Sequence, residues 1–185
     1  MKIAGLLCAS GRSGYFNKDL AAIRAGARQD GFGYIDPPVT PGFDKVIQAG
    51  QSLSVMLQLE DGQVAHGDCI DVIFTAAAGR DPLFNAEAQR GVVEVAVRDL
   101  LVGRDCSQFR ALADEIEKFQ PEGALLHTAL RYGISQALLQ ATALAQKRTP
   151  AEIVANEYEC QIATNPIPIL GMCPTPQTFM VEKMI

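Results

Sequence analysis

The sequence predicts an α+β domain in which helices pack against one side of a small antiparallel sheet with a hairpin, and three features point to it. Ser52 to Leu59 alternates strongly, with Leu53, Val55, Leu57 and Leu59 on one face, and Asp61-Gly62 supplies a tight turn into a returning strand. From residue 81 to 158 the apolar residues recur at helical spacing instead. The order of strand, long loop, hairpin and then helices lacks the strand–helix alternation that builds a parallel sheet. At 185 residues the chain is long enough to bury a core of its own.

Taken in order, Lys2 to Ala9 is apolar and reads as a buried strand that stops at Ser10-Gly11-Arg12-Ser13-Gly14. From there to Gly50 the chain reads as loop, with glycines at 26, 31, 33 and 42 and prolines at 37, 38 and 41. Unstructured stretches of this length inside a compact domain are usually functional. Its aromatics Tyr15, Phe16, Phe32, Tyr34 and Phe43 make it a packed lid rather than a linker. The hairpin follows, its second strand running from Val64 to Phe74. Asp81-Pro82 reads as the N-cap and first turn of a helix reaching Leu101 and closing near Gly103. Asp105 with Gln108 resembles a capping box, opening a helix that puts Phe109, Leu112, Ala113 and Ile116 on one face and ends at Pro121-Glu122-Gly123. The longest helix spans Ala124 to Lys147, with Leu126, Leu130, Ile134, Ala137, Leu138 and Ala141 in one buried stripe. Thr149-Pro150-Ala151-Glu152 is a capping box for a last helix to Tyr158. Ile162 to Leu170 is compatible with a strand, confined by Pro166 and Pro168 to an edge or a strand start.

Charge and composition exclude several classes of function. Sixteen Lys and Arg against twenty-one Asp and Glu give a net charge of −5, which is no footprint for a nucleic-acid backbone. No apolar run is long enough to span a membrane, and the N-terminus does not read as a signal peptide. Five scattered cysteines read as reduced thiols of a cytoplasmic protein. His66 and Asp68 share a strand face while Cys69 points the other way, which disfavours a Cys–His nucleophile. His127 lies in the apolar stripe and reads as a hydrogen-bonded core histidine, with Arg131 beside it seeking a carboxylate elsewhere. Gly79-Arg80-Asp81 reads as a helix entrance rather than an anion site. Asp114 and Glu115 read as solvated partners of Lys118. Metal-ligand spacings and phosphate-loop patterns are absent from the sequence. Taken alone, the residues show no catalytic set.

Several strings jointly resemble the N-terminal part of the 3-methylaspartate ammonia-lyase family, within the enolase superfamily. They are Asp30-Gly31-Phe32, Leu59-Glu60-Asp61-Gly62-Gln63-Val64-Ala65-His66-Gly67-Asp68-Cys69, Ala78-Gly79-Arg80-Asp81-Pro82-Leu83-Phe84 and the run from Leu126 to Ala137, with Val181-Glu182-Lys183-Met184-Ile185 at the end. The resemblance implies a capping domain over residues 1–160, followed by the first strand and start of a (β/α) barrel over residues 161–185. It implies a cytoplasmic amino-acid-degrading lyase that eliminates ammonia from L-threo-3-methylaspartate to give mesaconate. In such enzymes a barrel lysine takes the C3 proton and Mg²⁺ on barrel carboxylates stabilises the enolate; all of these groups would lie beyond Ile185. The chain is therefore expected to bind no metal alone, to be inactive by itself, and to need a barrel in cis or trans, with a homodimer as a further partner. The implied substrate-binding positions are Met172, Ile73, Thr75 and Phe16. At Met172 and Ile73 the family has glutamines, and neither replacement can donate to a carboxylate. The alternative is a non-catalytic binding or dimerisation module left after loss of a barrel.

Overall fold

The computed structural model describes residues 1–168. Strands β1 (Ile3–Lys18), β4 (Ile47–Leu59) and β5 (Val64–Ile70) form an antiparallel sheet in the order β1-β4-β5. Leu6 lies opposite Leu57, Cys8 opposite Val55, and Leu53 opposite Cys69. The alternation expected of the hairpin therefore holds: Leu53, Val55, Leu57 and Leu59 join Leu6, Ala65 and Cys69 on one buried face. Gly62 takes the positive φ of the turn, at +86°.

Strand β1 continues well past Ser10. Its pairing runs to Arg12 opposite Gln51, slips, and resumes from Phe16 opposite Ala49 to Lys18 opposite Ile47. The Ser-Gly composition marks a bulge in a continuing strand, not its end. Beyond it the expected lid is ordered. It holds the short helix α1 (Leu20–Arg24) and a small hairpin of β2 (Gln29–Asp30) and β3 (Gly33–Tyr34). The carboxylate of Asp19, fully buried, accepts from the backbone N–H groups of Ala21, Ala22, Val39 and Thr40 and from the Thr40 hydroxyl. One side chain thus caps the helix and closes the loop.

Strand β5 ends at Ile70 rather than Phe74, because the Asp71 side chain takes over the backbone. It accepts from the N–H groups of Val72 and Phe84 and from the Thr75 hydroxyl. The first long helix begins at Ala86, capped by Asn85, and runs as α2 (Ala86–Val92), a π turn (Val93–Val97) and α3 (Arg98–Leu101). Asp81 is not its cap. Asp81 accepts instead from Thr128 N–H at 2.6 Å, the first residue of α5 (Thr128–Gln146). Asp105 likewise caps no helix, accepting from Ser107 N–H and pairing with the N-terminal ammonium, while α4 (Phe109–Lys118) has its first amides bound by Glu157, at the end of α6 (Pro150–Glu157). The capping box of Thr149 and Glu152 is present.

The stripe of α5 lies buried against the sheet. Contact is closest at Gly67 and Gly133, where helix and strand backbones meet without side chains between them. Residues 162–168 take no part in a strand. The rest of that expected strand and Met172 fall outside the described residues.

Candidate functional site

The ends of β1 and β5 and the start of β4 share one end of the sheet, and a cluster of exposed apolar side chains lies there. Phe16 is 45% exposed and meets Phe32 of the lid edge to face, with ring centroids 5.1 Å apart. Val72, Ile73 and Phe74 follow β5 with exposures of 48%, 43% and 41%. Three consecutive exposed apolar residues would be unfavourable on a free surface and mark a contact face.

This rim is held from behind. Asn17, itself buried, donates from Nδ2 to the Val72 carbonyl at 2.8 Å, and Lys18 N–H donates to the Ile73 carbonyl at 2.8 Å. Thr75 is only 2% exposed, with its hydroxyl turned onto Asp71. It therefore lies beneath the rim, whereas Ile73 and Phe16 lie on it. The chain then reverses through Ala76 and Ala78, both at positive φ. Alanine costs about 1 kcal/mol or more there, so the surroundings must impose the turn. The Ala76 N–H to Asp81 carbonyl bond, 3.0 Å, is one part of that restraint.

A cleft of about 750 Å³ separates this segment from the start of α5, lined by Tyr15, Ile70, Val72, Arg80, His127 and Tyr132 among others. A second, of about 730 Å³, lies on the Phe16 side beside Arg12, Lys45 and Gln48. Burial and the Asp71 charge push the Tyr15 phenol up. Burial would raise the Asp81 carboxyl, but donation from Thr128 and the nearby Arg131 charge hold it below the ordinary aspartate range.

The other titratable residues are structurally engaged. His127 is the N-cap of α5: Nδ1 accepts from Ala129 N–H at 3.1 Å and Nε2 lies 2.9 Å from the Pro82 carbonyl, so the geometry assigns the neutral tautomer protonated at Nε2. Arg131 pairs with Glu117 and donates to the Leu126 carbonyl. Glu115 pairs with Arg104 rather than Lys118. Asp68 accepts from the Ser54 hydroxyl, and burial pushes the Cys69 thiol up to about 12, aided by the Asp68 charge. Cys69 is consequently no nucleophile.

Among the described residues no three His, Cys, Asp or Glu side chains converge as a metal site. The carboxylates near the rim, Asp19, Asp71 and Asp81, are occupied by backbone N–H groups. These residues do not fit Mg²⁺. Among the described residues, too, no helix is long and apolar enough to cross a membrane. What the rim can do is present apolar surface and exclude water. Asn17, Asp19 and Asp71, which set its shape, carried no sequence signal beyond being polar residues beside an apolar run.

Comparison with known proteins matches residues 1–159 to the family model for the methylaspartate ammonia-lyase N-terminus. The chain is 46% identical over 188 aligned residues to a methylaspartate ammonia-lyase of Haloarcula marismortui, covering all of this chain and 44% of that protein. It superposes on β-methylaspartase of Clostridium tetanomorphum, a Mg complex, with TM-score 0.91 and 44% identity, covering 100% of this chain and 45% of that one. The Citrobacter amalonaticus methylaspartate ammonia lyase, containing (2S,3S)-3-methylaspartic acid, gives TM-score 0.91 and 45% identity over the same shares. The chain thus spans a little under half the length of these relatives.

Proposed function

The chain belongs to the methylaspartate ammonia-lyase family, and we propose that its residues 1–160 are the cap that closes and shapes the active site of an enzyme eliminating ammonia from L-threo-3-methylaspartate to give mesaconate. Residues 161–185 then begin the barrel, and the proton-abstracting lysine and Mg²⁺ ligands belong to the portion of the family's length that this chain does not span. The observation that carries the reading is the apolar rim, exposed in side chain yet fixed in backbone. Such a face is built to meet another surface. On this reading Phe16 and Ile73 border the substrate from the cap, Thr75 supports them from below, and Met172 is a further substrate-binding position. The cap excludes water and sets substrate choice without taking part in proton transfer. The reading holds with the barrel supplied in cis or in trans, a homodimer is the assembly we assign, and free Cys8, Cys69, Cys106 and Cys160 support a reducing, cytoplasmic setting.

The test joins residues 1–185 to the remaining sequence of the Clostridium tetanomorphum enzyme and follows absorbance of the unsaturated diacid with Mg²⁺ present. Turnover of 3-methylaspartate is expected from the joined protein. None above a protein-free control is expected from residues 1–185 alone. A folded joined protein without turnover would overturn the reading and favour a non-catalytic module. Ile73 and Met172 stand where the family has amides, so the pocket lacks two donors for the substrate carboxylates. Each unmade partner costs roughly 1–3 kcal/mol. The double variant Ile73→Gln, Met172→Gln is therefore expected to raise kcat/KM by an order of magnitude or more; an unchanged or lower value would show that these positions do not face the substrate.

A further inference from the structure

We infer that Asn17, Asp71 and Thr75 are positioning residues, a polar bracket that sets where Ile73 stands and through it how tightly substrate is held. This rests on the reading of the rim given above.

The bracket grips the segment 71–75 from two sides. From β1, Asn17 Nδ2 holds the Val72 carbonyl and Lys18 N–H holds the Ile73 carbonyl, each at 2.8 Å. From within, the Asp71 carboxylate holds Val72 N–H at 2.7 Å, Phe84 N–H at 3.2 Å and the Thr75 hydroxyl. Val72 is thus fixed at both its N–H and its carbonyl by side chains, one of them the buried Asn17, a restraint that an ordinary surface loop has no use for. Asn17 and Thr75 are 2% exposed, so neither reaches a ligand itself. Asn17 also packs against Gly50, where an added Cβ would lie 2.9 Å from its Oδ1. The β4 backbone therefore closes the remaining side and fixes the Asn17 rotamer. The arrangement turns three exposed apolar side chains into a rigid edge.

Two near-isosteric variants test it in the joined enzyme. Asn17→Leu removes the donor to Val72, and Thr75→Val removes the donor to Asp71. For each, KM for 3-methylaspartate is expected to rise by roughly an order of magnitude while kcat stays within about threefold, since the groups that move the proton are untouched. Thr75→Ser, which restores the hydroxyl, should return KM to the parent value. A purely structural role would lower the thermal midpoint and leave KM of the folded enzyme unchanged, and that result would overturn the inference. If the joined parent turns over no 3-methylaspartate, the functional reading fails separately. The bracket is then decided on residues 1–185 by amide hydrogen exchange. Faster exchange at Lys18, Val72 and Phe84 in both variants supports it, and parent-like protection at all three overturns it.

Discussion

Replacing Gly133 by alanine is expected to destabilise the domain by more than ~4 kcal/mol, enough to consume most of an ordinary domain's stability. A Cβ at position 133 would lie 2.5 Å from Cys69 Sγ, 2.6 Å from Cys69 N and 2.7 Å from the Asp68 carbonyl carbon. At Gly67 it would lie 1.9 Å from the Gly133 oxygen and 2.7 Å from Ala137 N. Most of these obstacles are backbone, so no rotamer change relieves them. The helix α5 must lift off β5 and take Leu130, Ile134 and Leu138 with it, all of them fully buried. Overpacking usually costs about 1–3 kcal/mol, and the larger figure here reflects a clash between two regular elements. Gly91 in α2 is the control, because an added Cβ there meets nothing within 4 Å. Alanine at 91 should gain up to about 1 kcal/mol from helix propensity. Urea midpoints would show the opposite signs, and a Gly133→Ala midpoint near the parent's would mean that the helix–strand contact is looser than drawn.

That contact illustrates what could be read from the sequence and what could not. The hairpin faces, the α5 stripe and the Thr149 capping box depend on residues within a few positions of one another, and periodicity exposed them. Gly67 and Gly133 signal their role only once the strand and helix that bear them are laid together. The failures have the same cause. Asp81 precedes a proline and looks like a local cap, yet its acceptor serves Thr128, 47 residues on. Glu157 closes α4 from 48 residues away. A local pattern cannot distinguish a carboxylate that caps its own helix from one lent to another. Val72-Ile73-Phe74 continued the β pattern of the preceding strand, and the ladder is broken there by Asp71, with Asn17 and the Lys18 N–H taking the next two carbonyls. Ile73 and Phe16 entered as site residues through family resemblance, since an exposed isoleucine and phenylalanine carry no chemical signature. The comparisons establish the family; the exposure of these two residues beside a fixed backbone is what the structure adds.

Asp19 decides whether the lid exists. Its Oδ2 accepts from Val39 and Thr40 N–H at 2.7 and 2.9 Å, and its Oδ1 from Ala21 and Ala22 N–H and the Thr40 hydroxyl at 3.1, 3.2 and 2.6 Å. Asn has one acceptor oxygen, so its NH₂ must face one of these sets of donors. Asp19→Asn is therefore expected to cost ~3 kcal/mol at neutral pH despite its near-identical shape, because hydrogen bonds to a charged acceptor are lost and donors are left facing a donor. The pH dependence follows from the carboxyl itself. Burial pushes its pKa up, but the Thr40, Val39 and Ala22 donors outweigh this and hold it below the usual aspartate range. A depressed folded value means that the stabilisation is complete above the unfolded value of about 3.9 and is lost as pH falls through the folded value. The gap in unfolding free energy between parent and Asp19→Asn should accordingly stay level from neutral pH down to mildly acid pH and close only below it. Taking the difference removes the other carboxylates, which titrate alike in both proteins. Trypsin should also cut the variant faster at Arg24, Arg28 and Lys45, on the segment that Asp19 tethers. A variant as stable as its parent at pH 7, or a gap that widens on acidification, would show that the lid is held by its aromatic contacts instead.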